Sequence, residues 1–261
     1  MTIMVSGTGI AGMSAALAAA NAGHQVTLCG PHASKPPAGG VQLAPNGWQA
    51  LDQLGLCDAA IKRATRLDHI VVRDLGSGAT LTRLGLNNHY ASIGRADLLN
   101  LLQDTVAKHD SITHHAALIS HAVPHKDSVD LVFEDGHSMK AAALVAADGA
   151  AGLGRRLVAG TTSVDKQPNG RVAMRADIDA ALLPAVFAQP ASNLWLGQGA
   201  HLVHYPIAGG DRINFAVTLS AKLAAGHWQA KIFGTNPLFN TLARGSFTWA
   251  TTPVSPAGSP L

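Results

Sequence analysis

The chain has 261 residues, of which 47% are hydrophobic and 13% are charged, and its formal net charge is +3. This composition excludes an intrinsically disordered chain, which would carry more charge and fewer apolar residues. The 19 Lys and Arg residues are scattered, whereas a nucleic-acid-binding face needs them clustered, so we expect no nucleic-acid partner.

The first part of the chain predicts a strand, a helix and a second strand. Ile3 to Ser6 is a short apolar run followed by glycines, which is typical of a buried parallel strand. Ile10 to Ala22 is rich in Ala, Leu and Met, and Gly23 ends this predicted helix. His24 to Cys29 alternates apolar residues and predicts the second strand, after which the Gly- and Pro-rich residues 30–42 predict a loop.

Helical and strand patterns then follow one another. Apolar stripes predict helices at 45–55 and 95–108. Turn residues between β-rich runs predict hairpins at 69–84 and 129–140. The apolar run 143–147 predicts a strand that ends in Asp148-Gly149.

Beyond residue 160 the pattern changes to short strands that Gly or Pro interrupt, which predicts an antiparallel sheet. The strands are predicted at 172–178, 194–196, 201–205 and 212–219, with a helix at 222–233. Residues 250–261 contain three prolines and no periodicity, so we expect a frayed tail.

The cysteines, the apolar runs and the histidines indicate the cellular compartment and whether a membrane span or a metal site is expected. Cys29 and Cys57 lie in apolar stretches outside any CxxC pattern, so we expect reduced thiols in a cytoplasmic protein. The longest run of small and apolar residues, Ile10 to Ala20, is too short to span a bilayer, so we expect no membrane span. The histidines, including His114, His115 and His121, lack the spacing of metal ligands, so we expect no metal site.

The segment from Gly7 to Gly12 matches the GxGxxG pattern between a predicted strand and a predicted helix. Gly7 allows a sharp turn, Gly9 leaves room for a pyrophosphate, and Gly12 lets the helix pack closely on the strand. Ile10 and Ala11 would offer free N–H groups at the helix N-terminus, where the dipole favours phosphate. The segment therefore predicts a dinucleotide site, and the alternative is a Gly-rich turn without a ligand.

One usual part of such a site is missing. The second strand should end in an acid that binds a ribose hydroxyl, but Leu28 is followed by Cys29-Gly30-Pro31-His32. Either the backbone or His32 makes this contact, or the affinity for the nucleotide is reduced.

Five segments, in order along residues 2–250, resemble the FAD-dependent aromatic hydroxylases. These are single-component flavoprotein monooxygenases of the para-hydroxybenzoate hydroxylase fold, and salicylate and 3-hydroxybenzoate hydroxylases look most similar. The segments are Gly7 to Gly12, Gly39 to Asn46, Gly94 to Leu99, Ala147 to Arg155 and His201 to Gly210.

The resemblance implies FAD as cofactor, NAD(P)H as electron donor, and a small phenolic acid that is hydroxylated with O₂. The implied FAD-binding residues are Gly7, Gly9, Ile10, Ala11, Gly12, Gly40, Val41, Arg95, Asp148 and Gly149. Arg95 would approach the FAD phosphates, since a cation at a helix N-terminus opposes the dipole and favours an anionic partner. The alternatives are a surface Arg95 and an ordinary turn at Asp148, and the family's usual Ser after this Asp-Gly pair is Gly152 here.

Candidate catalytic residues lie on the predicted strand at 201–205. A period of two places His201 and Tyr205 on one face and His204 on the other. A His and a Tyr above a flavin would bind and deprotonate a phenol, which makes its ring more nucleophilic. The alternative is that both side chains only pack at a sheet surface.

The resemblance also implies the domains. We expect an α/β fold with a Rossmann-like FAD-binding domain at 1–70 and 90–160, an antiparallel substrate-domain sheet at 70–90 and 161–249, and a disordered tail at 250–261. Full-length members continue into a strand ending in Gly-Asp-Ala-Ala-His that contacts FAD, and that segment is absent here. We therefore expect a truncated hydroxylase with the last strand of the FAD-binding domain missing and an exposed apolar face.

Three hypotheses follow. The first is an FAD-dependent aromatic hydroxylase, with activity impaired by the truncation. The second is a non-catalytic FAD-binding fragment, or a remnant that associates with a second copy or another chain through its incomplete C-terminal face. The third is an NAD-dependent dehydrogenase, which the segments around Arg95 and Asp148 fit poorly.

Overall fold

The computed structural model describes residues 2–31, 38–86, 89–160, 170–224, 228–233, 236–240, 242 and 247–254. The chain forms two compact units. The first unit comprises residues 1–36, 50–57 and 97–165, and the second comprises residues 37–49, 58–96 and 166–261.

Strands and helices alternate in the first half of the chain, and strands dominate the second half. The strands are β1 Thr2–Ser6, β2 Gln25–Cys29, β3 Gly40–Leu43, β4 Thr65–Arg66, β5 His69–Asp74, β6 Thr80–Gly85, β7 Ala91–Gly94, β8 Ile112–His115, β9 Ile119–Pro124, β10 Val129–Phe133, β11 Ser138–Ala141, β12 Ala143–Ala146, β13 Arg171–Asp179, β14 Ala191–Gly197, β15 Ala200–Ile207, β16 Arg212–Ser220 and β17 Ala250–Val254. The helices are α1 Ile10–Asn21, α2 Pro45–Gln53, α3 Cys57–Ile61, α4 Arg95–Ala107, α5 Leu153–Ala159, α6 Ala221–Ala224 and α7 Trp228–Phe233.

The first unit contains a parallel sheet with the strand order β12-β1-β2-β8. Helix α1 buries its small and apolar residues, among them Met13, Ala16 and Leu17, and it connects β1 to β2 as the βαβ pattern predicts. A second, antiparallel sheet of β11, β10 and β9 packs its apolar side chains with Met4 and Cys29. Because the four parallel strands end at one edge, the loops that follow them converge there.

The second unit contains a seven-stranded sheet with the order β17-β13-β16-β15-β14-β5-β6, and a small sheet of β3, β7 and β4. One face of the large sheet carries an aromatic core that includes Trp195, Phe187, Phe215 and Phe239. The predicted antiparallel arrangement is confirmed for most neighbours, but β14 and β5 pair in parallel. That exception arises because β5 comes from a distant part of the chain rather than from a hairpin with β14.

One local prediction was wrong, and another lies partly outside the described residues. The predicted tail at 250–261 begins with β17, which pairs antiparallel with β13, and residues 255–261 lie outside the described residues. Pro253 is accommodated because β17 is an edge strand, where a missing N–H is tolerated. Of the predicted helix at 222–233, the structure describes α6 at its start and α7 at its end, and residues 225–227 lie outside the described residues.

His204 occupies an unusual position for a titratable group, because it is buried in the aromatic core. Its Nδ1 accepts a hydrogen bond of 2.9 Å from Trp195 Nε1, and Phe187 and Phe215 pack around its ring. Its Nε2 is buried and has no hydrogen-bond partner among the described residues. Burial, and then the positive charge of Arg73, lower the pKa of His204 from 6.5 to about 3.

We predict that the second unit loses stability as the pH falls below 6.5. The pKa of His204 is 6.5 in the unfolded state and about 3 in the folded state. Between these pH values only the unfolded state binds the proton, so proton binding lowers the free energy of unfolding. Between pH 7 and pH 5 this should lower the free energy of unfolding by about 2 kcal/mol. Trp195, Trp228 and Trp249 lie in this core, so denaturation followed by tryptophan fluorescence measures the effect.

The matched variants are His204→Phe, which should remove this component of the pH dependence, and His121→Phe at an exposed position, which should retain it. An unchanged pH dependence in His204→Phe would show that His204 does not control acid stability.

Candidate FAD and substrate site

The glycine loop of the first unit has the geometry that its sequence predicts. Gly7 has a φ of 108°, and its N–H donates to the carbonyl of Cys29 at 2.8 Å. A Cβ at Gly12 would overlap the carbonyl group of Gly7, so only glycine permits this approach of α1 to the end of β1. The close packing predicted for Gly12 is therefore present.

The N-terminus of α1 is open to a ligand. Gly9 is the N-cap residue, with a φ of −79°, and no side chain caps the helix. A Cβ at Gly9 would have nothing within 4 Å among the described residues. The first N–H groups of α1, including those of Ile10 and Ala11, thus begin a helix whose end has space above it, where the dipole favours an anion.

Two hydrogen bonds hold the residues after β2, where an acid would bind the ribose. Gly30 has a φ of 119°, and its carbonyl lies 2.7 Å from His114 Nε2 at the end of β8. Thr8 Oγ1 donates to the carbonyl of Pro31 at 2.6 Å, which ties the glycine loop to the residues after β2. His32, the alternative ribose ligand, lies outside the described residues.

Asp148 and Gly149 follow β12 at the same edge of the parallel sheet. Ser6 Oγ and the N–H of Gly154 both donate to Asp148 Oδ2, each at 3.3 Å. A Cβ at Gly152 would overlap the Asp148 carboxyl group. The glycine at this position, where the family usually has Ser, therefore lets the carboxylate lie against the start of α5.

In the second unit, pairing of β3 with β7 brings together three residues that the resemblance implies for FAD. Gly40 pairs with Gly94 and Val41 pairs with Ile93. Arg95 follows directly, and its N–H donates to the carbonyl of Gly39 at 2.8 Å. Gly40 and Gly94, which are 54 positions apart in sequence, are thus neighbours in one small sheet. The sequence segments alone did not show this pairing.

Hydrogen bonds from side chains of β3 and β7 join these strands to the seven-stranded sheet. Gln42 Nε2 donates to Ser192 Oγ at 3.0 Å and accepts at Oε1 from the Tyr90 hydroxyl at 2.9 Å. The Ser92 hydroxyl donates to the carbonyl of Pro206. These bonds fix the small sheet against the large one within the same unit.

Two further side chains hold the start of β3, and the sequence reasoning missed them. Asp177 on β13 accepts from the N–H of Gly39, and Asn214 on β16 accepts from the N–H of Gly40, each at 2.8 Å. Their signal in the sequence is a polar residue between apolar neighbours of a predicted strand, but that pattern does not reveal the partner.

The candidate catalytic residues lie on the face of β15 that the period of two predicts. Tyr205 packs with Leu67 and Ile207, away from the aromatic core that contains His204. Tyr205 is 5% exposed, and burial raises its pKa to about 12 against the opposing charge of Arg175. Its hydroxyl therefore remains protonated at neutral pH and is suited to donate a hydrogen bond.

His201 is half-buried on the same face of β15. Burial, and then the positive charge of Arg171, lower the pKa of His201 below its ordinary value of 6.5. His201 is therefore neutral at pH 7 and can accept a proton. His201 and Tyr205 are four residues apart, about 13 Å along the strand.

Comparisons with known proteins give the relationship of the chain. It is 32% identical over 235 residues to a 3-hydroxybenzoate 6-hydroxylase of Polaromonas naphthalenivorans, which covers 85% of this chain and 57% of the relative. It is 33% identical over 242 residues to the 3-amino-4-hydroxybenzoate 2-monooxygenase PtnB3 of Streptomyces platensis, which covers 88% of this chain and 58% of the relative. The resemblance of the chain to the FAD-dependent aromatic hydroxylases is confirmed. No protein-family model matches it.

Solved structures show the same fold. Klebsiella pneumoniae HpxO complexed with FAD and uric acid aligns with a TM-score of 0.81 at 23% identity, covering 97% of this chain and 68% of that chain. A salicylate hydroxylase substrate complex aligns with a TM-score of 0.76 at 20% identity, covering 96% of this chain and 67% of that one. The predicted α/β class with additional antiparallel sheets is confirmed, and the chain spans about 57% of the length of the curated relatives.

The described residues contain no helix that is long and apolar enough to cross a membrane. Within the same ranges, no group of three or more His, Cys, Asp or Glu side chains is arranged to hold a metal ion.

The two glycines of the loop should respond differently to a methyl group. We predict that Gly12→Ala lowers the free energy of unfolding by about 1–3 kcal/mol, because its Cβ would force α1 away from Gly7. Gly9→Ala should change it by less than about 1 kcal/mol, since φ is compatible with alanine and the space is open. Urea denaturation of both variants measures this, and equal losses would contradict the assigned packing.

Proposed function

We propose that this chain binds FAD and serves in the hydroxylation of a small phenolic acid with NAD(P)H and O₂. The observation that carries the proposal is the uncapped N-terminus of α1, with open space at Gly9 next to the close Gly7–Gly12 contact. Relatives named as hydroxybenzoate hydroxylases and monooxygenases support hydroxylation over an NAD-dependent dehydrogenase.

The residues present fit the cofactor. Gly7, Gly9, Ile10, Ala11 and Gly12 would hold the pyrophosphate through backbone N–H groups and the helix dipole. This binding requires no cationic side chain in the loop, because the peptide groups supply the partial positive charge.

Five further positions are proposed to contact other parts of FAD. Gly40 and Val41 would lie beside the flavin ring, Arg95 would bind a phosphate, and Asp148 with Gly149 would complete the contacts at the sheet edge. When bound, FAD would supply the redox chemistry, passing electrons from NAD(P)H to O₂ and oxygen to the substrate ring. The chain would supply binding, orientation and exclusion of water.

We propose that His201 and Tyr205 contact opposite ends of a phenolic acid substrate. Tyr205 would donate a hydrogen bond to the substrate, because its own proton is retained up to a pKa of about 12. Neutral His201 would take the phenolic proton, which raises electron density in the aromatic ring. An aromatic acid between the two side chains would be oriented from both ends.

Two further proposals concern the cellular location of the protein and its association with other chains. Cys29 is a buried free thiol, and reduced cysteines are typical of cytoplasmic proteins, which supports a cytoplasmic location. Among the described residues β12 is an outer strand of the parallel sheet, with Ala143 and Val145 exposed. Such an edge favours association with another chain or a second copy, which sedimentation velocity would detect as a dimer.

The test of the cofactor proposal is a titration of the purified chain with FAD, followed by flavin fluorescence and absorbance. We predict saturable binding, weakened about tenfold or more by Gly9→Ala, because the methyl group would occupy the position of the pyrophosphate. Gly85→Ala, at an exposed position of β6 where an added Cβ has nothing within 4 Å among the described residues, is the matched control and should retain the affinity of the parent. No uptake of FAD by the parent would refute the proposal.

The test of the catalytic roles is the pH dependence of kcat/KM with a hydroxybenzoate. Activity should fall as the pH drops through the pKa of His201, below 6.5, because protonated His201 cannot accept a proton. His201→Asn should lower kcat about 100-fold or more and remove this ionisation. Tyr205→Phe should raise KM several-fold through loss of one hydrogen bond, roughly 1 kcal/mol.

His121→Asn, at an exposed position of β9, should leave both the rate and the pH profile unchanged. An acid limb that persists in His201→Asn would exclude His201 as the base.

A further inference from the structure

Three polar side chains form a continuous row across the central strands of the seven-stranded sheet. Asp177 on β13 pairs with Asn214 on β16, and Asn214 pairs with Tyr205 on β15. We call these three residues the polar row. Paired residues of neighbouring strands place their side chains on the same face, so the row faces the same side as Tyr205.

The polar row determines where the start of β3 lies. Asp177 and Asn214 accept hydrogen bonds from the successive N–H groups of Gly39 and Gly40. The Tyr205 ring lies directly against the same backbone: a Cβ at Gly40 would be 2.6 Å from Tyr205 Cε2 and 3.2 Å from its hydroxyl oxygen. Two bonds and one ring thus fix this segment at a set distance from Tyr205.

The burial of the row indicates that it does more than fill space. Asn214 is 0% exposed, and Asp177 Oδ1 and Asn214 Nδ2 are buried without a hydrogen-bond partner among the described residues. An unsatisfied buried polar atom costs free energy, whereas apolar side chains of similar size would pack at these positions without that cost. What polar residues provide here is two acceptors that an apolar pair would lack.

We propose that Asp177 and Asn214 are positioning residues that hold the Gly40–Val41 backbone at its distance from Tyr205. This inference rests on the proposed function, in which Gly40 and Val41 lie beside the flavin and Tyr205 binds the substrate. Asp177 and Asn214 touch neither ligand in this scheme. They act through the peptide groups of Gly39 and Gly40, and so align the flavin-binding segment with Tyr205, the substrate-binding side chain.

The first test uses the chain without FAD. Hydrogen–deuterium exchange of the segment 38–43 is measured in the parent and in Asp177→Leu and Asn214→Leu, which retain volume but lack an acceptor. We expect exchange of this segment to be about tenfold faster in both variants, because each loses one hydrogen bond. Asp177→Asn keeps an acceptor oxygen and should exchange like the parent.

Asp179→Leu is the matched control, since Asp179 is an exposed carboxylate on the same strand that bonds to Ala181 instead. If a Leu variant does not fold, Asp177→Ala and Asn214→Ala provide the same loss of acceptor with a smaller side chain. The inference would be overturned if the segment 38–43 exchanged as slowly in the folded variants without an acceptor as it does in the parent. This outcome does not depend on whether FAD binds.

The second test measures the fraction of NAD(P)H electrons recovered in hydroxylated product, with the rest leaving as H₂O₂. One NAD(P)H, one O₂ and one proton yield one NAD(P)⁺ and one H₂O₂ when oxygen does not reach the ring. We expect the product fraction to fall several-fold in Asp177→Leu and to recover in Asp177→Asn. Faster exchange with an unchanged product fraction would overturn the positioning role. Absence of FAD uptake by the parent would instead refute the proposed function, and the exchange test would then decide the inference alone.

Discussion

The contact between Gly12 and the carbonyl group of Gly7 is the constraint on which the first unit depends. No side chain fits between them, so α1 begins within backbone contact distance of the end of β1. That approach directs the first N–H groups of α1 into the space at Gly9, at the edge where the loops after β1, β2 and β12 converge. The anion-binding property therefore comes from the path of the backbone, which explains why a loop without a basic side chain can be proposed to hold a pyrophosphate.

The second unit reaches a comparable result by side-chain hydrogen bonds. The β3–β7 pair carries Gly40, Val41 and Arg95, and the polar row together with Gln42 holds that pair on the large sheet. The opposite face of the same sheet carries the aromatic core around His204. One face thus carries the aromatic core and the other is the face proposed to contact ligands, and the adjacent residues His204 and Tyr205 of β15 lie on these two faces.

Much of this arrangement was predictable from the sequence because it is local. The glycine loop, α1 and the strands around it follow from residues that are close in sequence, and the ordered segments indicated the family. The acceptors Asp177 and Asn214 could not be assigned, because they bond to glycines 138 and 174 positions away. Strand β8 was missed because Ile112 is its one large apolar residue, and β17 because an edge strand tolerates a proline that usually ends a strand.

A crystal structure of the chain saturated with FAD would show whether the first turn of α1 binds the pyrophosphate of the cofactor, as proposed. We expect pyrophosphate oxygens about 2.7–3.2 Å from the backbone nitrogens of Ile10 and Ala11, directly above Gly9. FAD bound elsewhere on the chain, with the N-terminus of α1 facing only solvent, would contradict it.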